Sequence, residues 1–524
     1  MYFSKTKIVL IIIIFILFFR MLVFAESSFN LSGKYKDYNV ILIIADALRP
    51  DHLSCYGYPK KTSPEIDLLA KRSVLFTNAF SQAAFTLPSV VSIFTSLYPF
   101  SHGVMHIFKD KVPQRIYTLA QILRIYGYHT AWFGHLNDPH TAGGYGVLKG
   151  FDVKYSLHGK DIFDEDYSGL FNWVKRHMRK TFFITVHSYA THEQFFPYLK
   201  YNNEFTENIS KNFTDFLKTI TDKCWENLQN DLQNNQSHLH KVLGEEWIRK
   251  HKEYFLKPYS PERFRNILNM TETLQQRYEL IQTYKAYFTF TKSFDKVFLR
   301  DFLFLFDGAV FDFDKNLIGK LMSELKRLKI NNKTIVIITA DHGNEYYEHG
   351  NFGHGRFLFD ESIRVPLIIY IPGLKEALKS DKLAESIDIL PTLLDLLGIP
   401  IPFQAQGISL AGIMEEKVDA PLNGFVFSKS INGNLCIRSK EWKLIIMPAK
   451  GATADNAKEE LFNLREDKYE KRNLIKKFPA IAGDLRRRLN LKLLSLISYE
   501  NEESEFLPGL DEATKERIRN TGYW

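Results

Sequence analysis

Residues able to do chemistry gather at four points of the chain, each beside or within an apolar run. Asp46 ends the run in "NVILIIADALRPDH", and Thr86 heads the second in "AAFTLPSVVSIFTSLYP". His187 and His192 lie in "FFITVHSYATHEQFFPY", while Asp341, His342, His349 and His354 share "TADHGNEYYEHGNFGHGRF". Two aspartates and a histidine at strand ends, with a hydroxyl at the start of a helix, suggest a site for one divalent metal ion. A cation answers the weakness of Thr86 as a nucleophile. The threonine hydroxyl stays protonated near neutral pH; a metal lowers that pKa and neutralises an anionic substrate. The helix behind Thr86 adds free amide donors and the positive end of its dipole. His192 and His354 suit two tasks, holding substrate oxygens or protonating a leaving group. Thr86 also fits a plainer role, a helix N-cap with Pro88 early in the helix, and the two roles are compatible.

The elements that must carry these residues alternate between strand and helix. "NVILIIADAL" reads as a buried parallel strand, and "TLAQILRIYGYHTAWFG" as helix, turn and strand with Leu119, Ile122 and Leu123 on one face and Gly127 as the stop. "KTFFITVHSYATHE" is another apolar strand, and "FDKNLIGKLMSELKRLKINNKTIVIITADHG" repeats helix, strand and loop. Such alternation predicts a mostly parallel sheet flanked by helices, with ligands at the carboxyl ends of the strands. Residues 199–300, rich in Asn, Gln, Lys and aromatics, break the rhythm and read as a helical insertion. After "SIDILPTLLDLLGIPIP" the stretch "GFVFSKSINGNLCIRSKEWKLIIMP" predicts antiparallel strands turning at Asn432-Gly433. Asp51, His52, Asp307 and Asp314 read as structural, the last two at the start of a helix, and His102 as a turn residue.

Composition narrows the class. With 68 Lys and Arg against 60 Asp and Glu, the net charge is +8, spread along the chain. That surface favours anionic partners, and no nucleic-acid-binding signature accompanies it. Three distant cysteines, Cys55, Cys224 and Cys436, make neither a CxxC pair nor a disulfide framework. Residues 1–25 have a basic start, an apolar core interrupted by Arg20 and a small-residue end, which is the layout of an export signal or a short N-terminal membrane anchor. The body is expected outside the cytoplasm.

Six segments stand in the order found in one family. "NVILIIADALRPDHLSCYGY", "TLPSVVSIFTSLYPFSHGV", "ITADHGNEYYEHG", "GHGRFLFDESIRVPLII", "SIDILPTLLDLLGI" and "ELFNLREDKYEKRNL" resemble the sulfatase family of the alkaline phosphatase superfamily across residues 38–475, apart from the insertion. The resemblance implies an α/β/α sandwich with a mostly parallel central sheet and a smaller C-terminal antiparallel-sheet subdomain. It divides the chain into a catalytic unit over 37–400 and a C-terminal subdomain with a helical tail over 401–524. It also implies that Asp46, Asp341 and His342 bind the metal, with Thr86 as fourth ligand and nucleophile. His192 and His354 would touch the substrate anion, and His135 and Asn137 fall where many sulfatases bind substrate.

The departures from the pattern are chemical. Sulfatases that depend on formylglycine carry Cys or Ser in C/S-x-P-S-R, whereas this chain has Thr86-Leu87-Pro88-Ser89-Val90. The usual Asp-Asp pair is Asp46-Ala47, and the Asp-Asn pair is Asp341-His342. A histidine ligand moves the metal preference toward zinc or manganese, with calcium or magnesium as alternatives. Thr86 has no second hydroxyl with which to expel sulfate, so its covalent intermediate must be attacked by water or another acceptor. The expected enzyme is a metal-dependent hydrolase of a sulfate or phosphate ester carried on a glycan or lipid. Two alternatives are a phosphoethanolamine- or phosphoglycerol-type transferase acting on envelope glycans, and an inactive binding homologue.

Overall fold

The computed structural model describes residues 31–107, 109–136, 146–157, 165–192, 205, 211–257, 263, 267, 270, 296–374, 376–415, 423–448 and 457–499. The expected export signal or membrane anchor at 1–25, Asn137 and part of the 199–300 insertion lie outside them.

Runs of Val, Ile and Phe with no polar alternation form strands buried on both faces, as a helix-covered sheet requires. They include β1 (Asn39–Ala45), β2 (Ser73–Phe80), β3 (His129–Gly134), β5 (Phe182–Ser188) and β6 (Thr334–Thr339), while β4 (Val153–Ser156) is a largely exposed edge strand. A ribbon of β7 (Glu345–Tyr346) and β8 (Phe352–Gly353) follows, then β9 (Arg364–Tyr370) and β10 (Leu378–Glu385). The main sheet has the order β10-β2-β9-β6-β1-β5-β3-β4, with β9 alone antiparallel to its neighbours. All residues of β1, β5 and β6 are buried. β1 lies between β6 and β5, so residues just past these three strands emerge together at one edge.

The second sheet pairs β11 (Val426–Lys429), β12 (Leu435–Arg438), β13 (Trp442–Met447) and β14 (Lys458–Asn463) antiparallel in sequence order. Gly433, with φ of 81°, supplies the left-handed residue of the expected Asn432-Gly433 turn. The helix Pro479–Ser495 covers this sheet through Ala482, Leu485 and Leu489, which pack on Ile437, Leu444 and Leu461. A bridge between Ala83 and Lys429 ties it to the segment that leads into Thr86.

The described part of the insertion is helical over Lys211–Gln233, His238–Leu243 and Glu245–Phe255. Its Trp225 and Trp247 are buried and donate their indole N–H groups to the carbonyls of Lys257 and Met270, so both rings serve packing. The next helix, Lys296–Phe313, begins well before the expected start, and Asp307 falls in its middle. There Asp307 accepts from Tyr58 Oη at 2.9 Å and Lys60 Nζ at 2.6 Å, and His52 Nδ1 lies 2.9 Å away. Asp314 accepts from the amides of Glu65 and Ile66 at 2.9 and 2.7 Å, capping the helix Pro64–Ala70. Asp51 pairs with Arg49 at 2.7 Å in the loop after β1. Among the described residues, no helix is long and apolar enough to cross a membrane.

Candidate active site

Asp46 is the first residue beyond β1. Its amide donates to the Ser188 carbonyl at 2.8 Å, and its carbonyl accepts from the Thr191 hydroxyl at 2.6 Å. Ala47 takes a left-handed φ of 58°, a strained choice for a residue with a Cβ, and its amide donates to Asp341 Oδ1 at 3.2 Å. Asp341 and His342 follow β6, and the His342 amide donates to the same oxygen at 2.9 Å. Gly343 is obligatory here, because a Cβ would stand 2.1 Å from the Glu361 carbonyl oxygen.

His342 Nδ1 lies 2.8 Å from the Gly343 carbonyl, which only accepts, so Nδ1 carries the proton. Its Nε2 lone pair faces Asp341 Oδ2 at 3.4 Å, Asp46 Oδ1 at 3.7 Å and Thr86 Oγ1 at 3.3 Å. Thr86 donates its hydroxyl to Asp46 Oδ2 at 3.4 Å. The cap expectation is corrected: Phe85 is the N-cap and Thr86 the first residue of the helix Thr86–Thr95, with no side-chain cap bond. The Thr86 hydroxyl is thus turned away from the helix amides and toward the carboxylates. Pro88 still sits in the first turn, where its missing N–H costs nothing.

His192 Nε2 approaches Asp46 Oδ1 at 3.8 Å. His354 stacks on His342 with ring centroids 4.4 Å apart and meets His192 edge-on at 5.1 Å. Its Nδ1 is 3.3 Å from Asn344 Oδ1. The structure therefore brings together Asp46, Thr86, His192, Asp341, His342 and His354. It also brings His187, a strand residue the spacing argument gave no role. His187 is fully buried, with Nε2 3.7 Å from Asp46 Oδ2 and 3.8 Å from Asp341 Oδ2.

His135 stands behind this cluster. Its Nε2 is 2.7 Å from Glu165 Oε1, and its ring packs edge-on against Tyr189, which in turn meets His187. Burial alone would raise Glu165, yet hydrogen bonds from His135, Ser188 and Tyr167 outweigh it and hold the carboxyl below its ordinary range. His102, in the last turn of the helix Pro99–His102, accepts from the Val104 amide at 3.0 Å and donates to Ser92 Oγ at 3.1 Å. Burial, with help from the Lys429 charge, pushes it down to about 3, so it is neutral and structural. Burial also pushes the Cys55 and Cys436 thiols up to about 12.

A metal fits the central cluster. Among the described residues, Asp341 Oδ2 and both ring nitrogens of His187 are buried without a hydrogen-bond partner, a cost a ligated cation removes. Donor atoms of Asp46, His187 and Asp341 lie within 4.8 Å of one another. Burial pushes Asp341 upward, but the His342 and His187 imidazoles and the Ala47 amide prevail and hold it down at about 2. Two buried carboxylates faced by imidazoles form a mixed oxygen and nitrogen set, suited to a divalent transition metal.

A mostly parallel sheet carrying such a cluster at its carboxyl edge is the architecture of alkaline phosphatase-like enzymes. The sulfatase family model matches residues 38–399, and the chain belongs to that metal-dependent family of ester hydrolases. A second model, described as N-sulphoglucosamine sulphohydrolase, C-terminal, matches residues 347–497. The chain is 24% identical over 454 residues to an N-acetylglucosamine-6-O-sulfatase of Bacteroides thetaiotaomicron, covering 78% of each. It superposes with a TM-score of 0.63 at 21% identity on a structure solved in complex with its substrate D-glucosamine-2-N,6-O-disulfate, covering 87% of this chain and 97% of that one. The phosphonate monoester hydrolase of Agrobacterium radiobacter superposes at 0.56 with 19% identity, covering 87% and 95%.

Proposed function

We propose that this hydrolase cleaves a sulfate or phosphate-type ester with Thr86 Oγ1 as the nucleophile, and that Asp46, His187, Asp341 and His342 hold a divalent ion of the zinc or manganese type. The observation that carries this reading is the Thr86 hydroxyl, within 3.4 Å of Asp46 and 3.3 Å of His342 beneath two further histidines. When bound, the ion lowers the pKa of the threonine hydroxyl and neutralises charge on the non-bridging oxygens.

The residues of the chain do the rest. Asp46 Oδ2 orients the Thr86 hydroxyl by accepting its proton, leaving a lone pair free for attack on sulfur or phosphorus. His192 holds a non-bridging oxygen, and His354, its Nδ1 turned to Asn344, keeps Nε2–H for the leaving oxygen. The helix Thr86–Thr95 directs its positive end at the same anion. As the bond to the leaving oxygen breaks, His354 donates the proton that oxygen needs; Asn344 fixes its ring through Nδ1. Water then attacks the threonine ester and gives its proton to His354, while Asp46 returns the first proton to the departing Thr86 oxygen and restores its hydroxyl.

The relatives that act on sulfated sugars support an anionic glycan ester as the substrate class. In this reading residues 37–400 are the catalytic unit, 401–524 the C-terminal subdomain, and the enzyme works after export. His135 supports the site through Glu165. A panel of aryl sulfate, phosphate monoester, phosphate diester and phosphonate substrates, each with zinc, manganese, magnesium and calcium, tests it. Turnover of at least one ester by wild type and none by Thr86→Ala is expected; full activity in Thr86→Ala overturns the mechanism. A requirement for an alcohol acceptor in place of water would identify the transferase instead.

A further inference from the structure

Seven residues beyond His342, His349 faces two glutamates from other parts of the chain. Its ring lies flat on Phe359, with centroids 3.6 Å apart and planes within 5°. That stacking places Nε2 3.5 Å from Glu361 Oε2, the two side chains being 9% and 8% exposed. Among the described residues, neither atom has a hydrogen-bond partner. Glu470, from the segment after β14, completes the group: one donor atom from each of the three residues lies within 4.8 Å of the other two.

Ion pairs frame this group on one side. Lys443 Nζ reaches Asp360 Oδ1 at 2.8 Å and Glu470 Oε1 at 2.7 Å, and Arg438 Nη2 reaches Asp360 Oδ2 at 3.0 Å. Two fixed cations thus meet the carboxylates of Asp360, Glu361 and Glu470, with an imidazole nitrogen aimed into the same space. Burial and the neighbouring carboxylates push the Glu470 carboxyl up to about 7 despite Lys443, and His349 Nε2 and Glu361 Oε2 face the same space; a bound cation would satisfy all three. A cavity of about 290 Å³, lined in part by His349, Phe359, Glu470 and Lys471, offers an entry path.

We propose that His349, Glu361 and Glu470 bind a second divalent transition-metal ion, of the zinc and manganese class, at a site that shares no residue with the Thr86 centre. One imidazole and two carboxylates are ligands such ions take readily, and too few oxygens for calcium. The ion would join three segments: the loop that carries Asp341 and His342, the short helix Asp360–Ile363, and the C-terminal sheet. Its role is to staple the C-terminal sheet to the catalytic loop, outside the chemistry.

The test counts metal on the full chain. Protein stripped with chelator and dialysed against Zn²⁺, or separately Mn²⁺, is assayed by mass spectrometry for metal per folded chain. Wild type is expected to bind two equivalents, and His349→Ala and Glu361→Gln one each while still turning over substrate. An Asp46→Asn, Asp341→Asn double variant should also retain one, and adding Glu361→Gln should remove it together with the zinc-induced rise in Tm. One equivalent in wild type, kept in full by His349→Ala and Glu361→Gln, overturns the proposal. Should those variants fail to fold, the aspartate double variant decides: one equivalent supports the site and none refutes it.

Discussion

Two buried charge clusters lie on either side of Gly343 and are neutralised differently. At the junction with the C-terminal sheet, the chain brings its own cations: Lys443 is fully buried between Asp360 and Glu470, and Arg438 pairs with Asp360. Burial works against the Lys443 charge, yet the two carboxylates overcome it and hold the ammonium above the ordinary lysine range. At the Thr86 centre, Asp46 and Asp341 are just as deeply buried, and among the described residues the basic groups that face them are imidazoles. Where lysine and arginine close the carboxylates, around Asp360, the charge is locked into structure, and only the His349 end is left for the second ion. The cluster that opens on the Thr86 hydroxyl leaves its charge to be met by an ion and a substrate, and that is where turnover becomes available.

The largest effect expected from this contrast is on chemistry. Thr86→Ala should lower kcat by about 10³-fold or more, the scale seen when a covalent nucleophile is removed, while the urea midpoint stays near wild type. Thr86→Ser should recover part of the rate. Next comes the missed ligand: His187→Gln should weaken metal binding at least about tenfold, measured by competition with a chromophoric chelator. Unaltered affinity would return His187 to the core.

On the other side of the comparison the readout is stability. Lys443→Met leaves Asp360 and Glu470 buried without their shared cation, and should cost about 3–5 kcal/mol in denaturant unfolding with little effect on kcat in whatever fraction folds. The smallest effect is a pH dependence. His102 takes a proton near 6.5 when unfolded, but only near about 3 when folded. The unfolded state therefore binds more protons between those values, and stability falls as pH drops from 6.5 toward 3, by at most about 1.4 kcal/mol per unit. Comparing wild type with His102→Asn at pH 7 and pH 5 isolates that slope; equal slopes would assign the acid sensitivity elsewhere.

Much of this was legible in the sequence because parallel strands buried on both faces read as unbroken apolar runs. That made β1, β5 and β6 visible, and with them Asp46, Asp341 and His342 at their ends. His187 was not legible, for a physical reason. It lies inside β5, and only the pairing of β5 with β1, which sets His187 beside Ile44, carries it next to Asp46. Register between strands some 140 residues apart has no local signature. The same holds for His349, Glu361 and Glu470, which converge through the packing of one sheet on the other. Thr86 was misplaced by one helical position because an extended Phe85 fills the cap without any side-chain bond. Asp307 was set at a helix start because the insertion masked how early the helix Lys296–Phe313 begins.

The central claim is that Thr86 carries the transferred group. Its most direct test is to quench turnover in acid and map the covalent adduct by peptide mass spectrometry, using His354→Ala to slow the release step. The account predicts one sulfuryl or phosphoryl group on the Ala83–Pro99 segment, at Thr86, and none in Thr86→Ala. An adduct on another residue, or turnover in Thr86→Ala at the wild-type rate, would contradict it.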